Sequence, residues 1–266
     1  MSESQPRALT ASKSLLPIAL IIAADLFAFN LSDFQFSLSH FAIAMFSAQL
    51  LCALVFAKGE ICPGQRGRLV KVNLYSALFW LVALFFGLKQ GNLQASLAIF
   101  GLISLYCLSR QAMVEQSRKV LLSCACVCSG VGIFIQLAAI HSIEQALQIA
   151  PFAQILTGII ITALALNISR NRLQGFIALL PLLMILALAL NAVVSAVLAV
   201  FAFQAEQPLI LNEFALMVYF IAHILLVAVL FLPILQKQKA SYPTLILALF
   251  IATSLPILLQ FALLAQ

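Results

Sequence analysis

Long apolar runs, separated by short polar clusters, recur along the whole length of this sequence. An α-helix needs about 20 mostly apolar residues to cross a bilayer, and the runs have roughly that length. Of all residues, 64% are hydrophobic and only 8% are charged, whereas about 25% are charged in an average soluble domain. A soluble fold of this composition would expose large apolar surfaces, and no room is left for a soluble catalytic or nucleic-acid-binding domain. We therefore predict an all-α integral membrane protein with about nine transmembrane helices, at residues 14–30, 38–58, 70–89, 93–109, 119–139, 149–168, 174–202, 212–235 and 242–264.

The basic residues provide an independent test of this helix count. When the gaps between the predicted helices are assigned alternately to the inside and the outside, starting inside, Lys89 is the one basic residue of 14 that falls outside. Cytoplasmic loops are enriched in Lys and Arg, and a wrong count would move every later loop to the other side. We therefore predict a cytoplasmic N-terminus and an extracytoplasmic C-terminus. The inside residues are Arg7, Lys13, Lys58, Arg66, Arg68, Lys71, Arg110, Arg118, Lys119, Arg170, Arg172, Lys237 and Lys239.

The first apolar run has two interpretations. Arg7 and Lys13, followed by the apolar residues 15–29, are also typical of a signal peptide. Asp25 interrupts that apolar region, however, and no clear small-residue cleavage site precedes the polar stretch that follows. We favour an uncleaved anchor helix; cleavage would leave eight helices in the same orientation.

Two further features interrupt the regular pattern. Residues 141–150 are amphipathic, which predicts a segment that lies at the membrane interface before the next crossing. The seventh span contains Pro181 and Asn191 and is long, so we expect it to tilt or kink.

Few side chains suited to chemistry occur inside the predicted helices. Cys124, Cys126 and Cys128 lack the spacing of typical zinc or iron–sulfur sites, and we expect them to be small buried residues without a metal. His223 and Asp25 are functional candidates because ionisable residues inside a membrane usually have a role; a hydrogen bond to a neighbouring helix is the alternative for each. The sequence has no nucleotide-binding loop, zinc-protease or nucleophile-elbow motif.

Three segments carry a resemblance to a known family. Residues 91–112 contain a Gly-Asn-Leu-Gln-Ala element and a later Leu-Ser-Arg-Gln element. Residues 40–56 include Phe46, Ser47 and Gln49, and residues 149–166 include Phe152, Thr157 and Gly158. In order and spacing these segments resemble landmarks of the membrane anchor subunits of dimethyl sulfoxide reductase and related molybdenum oxidoreductases. That family has a His-Leu-Gly-x-Pro-x-Arg-Ala sequence followed by Ser-Trp-Leu-Ser-Arg-Glu.

The resemblance implies a division of labour between subunits. An iron–sulfur subunit and a molybdopterin catalytic subunit dock on such an anchor, which oxidises menaquinol in the bacterial inner membrane for anaerobic electron transport. The anchor then binds no cofactor covalently, and menaquinol is its redox substrate. The resemblance also implies an eight-helix anchor domain at 38–266, preceded at 1–37 by a cytoplasmic N-terminus and an additional helix. The residues that match the family's quinone-binding region are Gln49, Lys89, Gly91, Arg110 and Gln111.

The sequence departs from the family at the positions that handle protons. The family's histidine falls on Leu88 or Lys89, and its acidic residue falls on Gln111. Glutamine cannot take up a proton, and lysine is normally protonated already. We therefore expect a degenerate quinol site on a retained scaffold. The alternatives are a secondary transporter of small metabolites or a non-catalytic assembly subunit, in which Lys89 and Arg110 mark membrane boundaries and the glutamines join helices.

Overall fold

The computed structural model describes residues 7–31, 39–59, 61–90, 92–110, 115–170, 173–204, 212–236 and 238–263. Within these ranges all regular secondary structure is helical, which confirms the predicted all-α fold class. The helices are α1 (Arg7–Leu31), α2 (Ala42–Lys58), α3 (Pro63–Leu74), α4 (Ala77–Gln90), α5 (Asn92–Ser109), α6 (Glu115–Ala138), α7 (Ile143–Ile149), α8 (Pro151–Ile168), α9 (Gln174–Gln204), α10 (Glu213–Leu235) and α11 (Tyr242–Leu263).

The described helices account for every predicted crossing. Seven stretches are long and apolar enough to cross a membrane by themselves; α3 with α4 forms one of them, and α7 with α8 forms another. The remaining two crossings correspond to the shorter apolar helices α2 and α5. The protein is therefore a multi-pass integral membrane protein.

Hydrogen bonds between helix ends define two ends of the bundle. At one end, Tyr242 Oη donates to the carbonyl of Lys13 at 3.0 Å, and Arg68 Nε donates to the carbonyl of Ser169 at 3.0 Å. At the other end, the backbone N–H of Asn212 donates to the carbonyl of Ala262 at 2.8 Å. Because most of the predicted inside residues lie at the first end, we call it the basic end and the second the far end.

The centre of the bundle is the pair α2 and α8, which other helices surround. Their close approach depends on Gly158, where an added Cβ would lie 2.6 Å from the carbonyl oxygen of Ala44 and 2.7 Å from Ser47 Cβ. Two other glycines face aromatic rings: a Cβ at Gly101 would overlap Trp80, and one at Gly132 would overlap Phe46. Small residues that let helices approach are the usual means of packing inside a membrane, where the hydrophobic effect does not drive association.

The structure corrects two details of the sequence-based prediction. The third crossing is not one helix from residue 70; it begins with α3 at Pro63 and is interrupted at Tyr75 and Ser76. The cysteines of α6 are not uniformly buried, since Cys124 is exposed and Cys126 and Cys128 are half-buried. Cys126 packs against the core, and Cys124 interacts with the buried Cys107 of α5.

The structure has a short helix in the amphipathic segment and one long helix in the seventh predicted span. The amphipathic segment at 141–150 contains the short helix α7, whose N-terminus is capped by Ser142 Oγ accepting from the backbone N–H of Gln145. α9 runs continuously over 31 residues with Pro181 inside it.

Candidate functional site

A buried polar network joins α8, α9 and α10. Asn191 lies at its centre: its Oδ1 accepts from the backbone N–H of Ala153 at 3.0 Å, and its Nδ2 donates to Tyr219 Oη at 2.7 Å and to His223 Nε2 at 3.0 Å. Tyr219 Oη in turn donates to Ser195 Oγ at 2.8 Å. The backbone N–H of Ala153 belongs to the first turn of α8, where donors lack helical partners. Asn191 thus caps a helix other than its own.

The network fixes the protonation state of His223. Its Nε2 accepts from Asn191, and its Nδ1 lies 2.9 Å from the carbonyl of Tyr219, to which only a protonated nitrogen can donate. Both nitrogens are satisfied when the imidazole is neutral and carries its proton on Nδ1. In this arrangement His223 joins helices and presents no free nitrogen to a metal. Within the described ranges, no group of three or more His, Cys, Asp or Glu side chains could hold a metal ion.

A second polar cluster lies at the far end and contains Asp25. The carboxylate accepts from Ser39 Oγ at 2.9 Å and from the backbone N–H of His40 at 2.8 Å. The backbone of Ser39 is itself held on both sides, since its N–H donates to Gln94 Oε1 at 2.9 Å and its carbonyl accepts from Gln136 Nε2 at 2.6 Å. These bonds tie α1, α5 and α6 to the segment before α2. The arrangement gives Asp25 a structural role.

Among the residues matched to the quinone-binding region, the three that the structure describes, Gln49, Lys89 and Arg110, do not lie together. Gln49 is buried and joins helices, because its Nε2 donates to the carbonyl of Gly101 at 3.1 Å and its Oε1 accepts from Ser129 Oγ at 3.4 Å. Lys89 Nζ lies 4.5 Å from the ring centre of Phe85, at the far end.

The described residues of that region lie at opposite ends of the bundle. The Arg110 guanidinium carbon lies 5.3 Å from the ring centre of Tyr106, at the basic end. The 18 residues of α5 separate Lys89 from Arg110, and at 1.5 Å per residue this is about 27 Å. No single head group therefore contacts both. Gly91 and Gln111 lie outside the described residues.

Basic residues gather on one surface at the basic end. This surface, which we call the basic surface, is formed by Arg66 and Arg68 of α3 and by Arg118 of α6. Arg66 lies within Coulombic range of Arg118. Arg66 Nε is buried without a hydrogen-bond partner among the described residues. Like charges held together in this way are stabilised by an acidic partner.

A cavity of about 570 Å³ opens between α8, α9, α10 and α11, also at the basic end. Its walls include Leu166, Met184 and Leu245, and its polar lining includes Arg170 and Lys239. Ligand sites in proteins commonly have volumes of about 300–1,000 Å³, with mostly apolar walls and a few polar groups.

Sequence reasoning missed the Asn191 network and the cavity. A signal for the network was present, because Asn191 and Ser195 on α9, and Tyr219 and His223 on α10, are each four residues apart and so share a helix face. The cavity had a weaker signal in Pro181 and Pro233. The two prolines are far apart in the sequence, and only the fold shows that both line the cavity.

Comparison with known proteins assigns the family. Residues 3–261 match the model of a family described as an integral membrane domain. The chain belongs to this integral membrane domain family. A relative in Haemophilus influenzae, described as an uncharacterized protein, is 40% identical over 274 residues, covering 98% of this chain and 100% of the relative. No solved structure matches this chain.

Proposed function

We propose that this protein is the membrane anchor subunit of a respiratory molybdopterin oxidoreductase similar to dimethyl sulfoxide reductase, located in the bacterial inner membrane. In this role it docks an iron–sulfur subunit, which carries a molybdopterin catalytic subunit, and transfers electrons from menaquinol. The observation that supports the proposal is the basic surface at one end of the bundle.

The positive charges of the basic surface favour contact with a protein partner over exposure to solvent. In the described part of this end, Glu115 is an acidic residue, and it is paired with Lys119 at 2.8 Å. Both side chains of that pair are exposed, so the pair contributes little. Glu115 also lies within Coulombic range of Arg118, so it offsets only part of the repulsion between Arg66 and Arg118. An acidic surface on an iron–sulfur subunit would offset this repulsion and guide association.

The two ends of the bundle also restrict where a quinol would react. Electron transfer requires the quinol head group to lie close to the docked clusters, which favours the end of α5 that carries Arg110. Gln111 follows it directly and occupies the family's carboxylate position. Lys89 lies at the opposite end, with its ammonium over the ring of Phe85, and serves the far membrane boundary.

Co-purification from native membranes tests the docking role. The double variant Arg66→Gln, Arg118→Gln should lose most of an iron–sulfur subunit that the unaltered protein retains in mild detergent. Lys239→Gln is the matched control, because it removes a positive charge from the same end but outside the basic surface. Retention of the partner by the double variant would contradict the docking role, and migration of the unaltered protein alone would contradict the anchor proposal as a whole.

Quinol oxidation by membranes that contain the complete complex tests the redox role. We expect Gln111→Glu to increase menaquinol-dependent electron transfer, since a carboxylate accepts the quinol proton and Arg110 lies beside it. Gln111→Leu should change the rate little. Rapid turnover by the unaltered protein that Gln111→Leu abolishes would show that glutamine itself serves the site.

Secondary transport of small metabolites is a second candidate function, favoured by the cavity between α8 and α11. Transport requires the cavity to open alternately to each side, and prolines in α9 and α10 are compatible with such movement. Substrate uptake by reconstituted vesicles, without any partner subunit, would distinguish it from the anchor role.

A further inference from the structure

The cavity at the basic end has the shape and polarity of an amphiphile site. Its inner walls are apolar and include Leu180, Met184 and Leu245, which are almost fully buried. The polar lining residues, which are Asn167, Arg170, Gln238 and Lys239, lie at helix ends and turns. No acidic residue occurs among the lining residues that the structure describes. Charge complementarity therefore favours an occupant that is apolar along its length and negatively charged at the end near Arg170 and Lys239.

The cavity is built into the helices that surround it. Pro181 in α9 and Pro233 in α10 both line it. Proline lacks the N–H of a regular helical turn and crowds the turn before it, so a helix that contains one does not pack as a straight rod. Small residues on other walls, Ala163 and Ala240, leave the space unfilled.

The backbone at Arg170 provides an independent observation. Arg170 has a φ of 52°, in the left-handed region that glycine adopts most easily. It follows the end of α8, the position where helices commonly have glycine. Arginine at this position is less favourable for the backbone than glycine, and Arg170 is one of the residues that line the cavity.

We propose that this cavity binds a single-chain amphiphile with an anionic head group, such as a phosphate or a carboxylate. The chain lies between the walls formed by α8, α9, α10 and α11, and the head group lies between Arg170 and Lys239. A volume of about 570 Å³ is within the range of ordinary ligand sites and favours one hydrocarbon chain over the two of a membrane phospholipid. This inference is independent of the anchor role.

Native mass spectrometry of the purified full chain, released from a neutral detergent, tests the proposal. Hexadecyl phosphate should bind, whereas hexadecanol should bind at least about tenfold more weakly, because each charge-assisted hydrogen bond contributes on the order of a tenfold change in affinity. Inorganic phosphate should not compete, since it lacks the chain. Equal binding of the alcohol, competition by free phosphate, or no binding of the alkyl phosphate would each overturn the proposal.

Two variants separate the head-group site from general effects on folding. Arg170→Gly removes the charge and relaxes the backbone, so it should weaken hexadecyl phosphate binding about tenfold while the melting temperature is unchanged or higher. Lys239→Gln should weaken binding similarly, and Arg118→Gln, on the basic surface, should leave it unchanged. Unchanged binding by both cavity variants, or an equal loss by Arg118→Gln, would contradict the assignment.

A third ligand distinguishes one chain from two. Phosphatidylglycerol presents an anionic phosphate on two chains, and its adducts should not depend on Arg170. Phosphatidylglycerol binding that Arg170→Gly weakens as strongly as hexadecyl phosphate binding would show that the site takes a membrane phospholipid, and the single-chain assignment would be wrong.

Discussion

At the scale of single residues, the buried polar side chains form hydrogen bonds that hold helices together. The sequence marked two intramembrane residues, His223 and Asp25, as either functional or structural. His223 forms a hydrogen bond to a neighbouring helix, and Asp25 forms one to the segment before α2. Sequence alone could not decide between these roles, because the partners of His223 lie 32 residues away at Asn191 and those of Asp25 lie beyond the end of α1. The choice depends on the three-dimensional fold.

Asn191→Leu is expected to destabilise the bundle. The substitution removes the hydrogen bonds that the Asn191 amide makes to the backbone N–H of Ala153 and to the Nε2 of His223. Interhelical hydrogen bonds in membranes contribute about 0.6 kcal/mol on average and up to about 1.7, and Asn191 makes three, so we expect a loss of about 2 kcal/mol. Thermal unfolding in detergent measures it. Asn30→Leu, at an exposed residue that bonds only within α1, should change stability little; equal effects would argue against the network.

Asp25 provides a graded test of the far-end cluster. Asp25→Asn retains an oxygen that can accept from the backbone N–H of His40, whereas Asp25→Leu retains none. A buried donor left without a partner costs about 1–3 kcal/mol. We therefore expect the leucine variant to unfold at a distinctly lower temperature than the asparagine variant. If the two variants unfold together, the hydrogen bonds are not the reason for the aspartate.

At the scale of helices, sequence periodicity and charge were sufficient to place most of the crossings. Apolar runs bounded by charged clusters correspond closely to α5, α8, α10 and α11, because length and polarity alone determine where a helix enters and leaves the bilayer. The break between α3 and α4 was not predictable in this way. Tyr75 and Ser76 are compatible with a helix interior, and the break includes Ser76 Oγ bonding to the carbonyl of Asn73.

For a related reason, sequence order could not show how far apart the residues matched to the quinone-binding region lie. Matching by sequence order does not reveal which end of a hairpin a residue occupies. Lys89 and Arg110 are 21 positions apart, which in a helical hairpin is compatible with either proximity or full separation. The structure places them at opposite ends, because α5 lies between them as one complete crossing.

Two neighbouring glycines on α6 allow a matched test of helix packing. A Cβ at Gly132 would overlap the buried ring of Phe46, whereas a Cβ at Gly130 would meet nothing within 4 Å. We expect Gly132→Ala to destabilise the protein by about 1–3 kcal/mol, as overpacking does. Gly130→Ala should be neutral or stabilising by up to about 1 kcal/mol, since alanine favours helices. Thermal unfolding of both variants decides, and equal effects would contradict the packing of α2 against α6.

At the scale of the whole molecule, nine crossings require the two chain ends to lie on opposite sides of the membrane. Reporter fusions after Gln266 and within residues 59–69 should therefore be active on different sides, with the 59–69 loop and its Arg66 and Arg68 in the cytoplasm. The physical reason is the concentration of lysines and arginines at one end of the bundle. Activity of both fusions on the same side would contradict the nine-crossing topology.

The unequal lengths of the outer helices have a consequence for the surrounding lipid. α5 has 18 residues and α9 has 31, or about 27 Å and 46 Å at 1.5 Å per residue, while the hydrocarbon layer is about 30 Å thick. Both present exposed apolar side chains, such as Ile103 on α5 and Leu186 on α9. The bilayer must thin beside α5, and beside α9 it must thicken unless that helix tilts, so each molecule imposes an uneven membrane thickness around itself. Two molecules that placed their thin flanks together would reduce this elastic cost, and a thinner bilayer would relieve the strain beside α5 while it increased the strain beside α9.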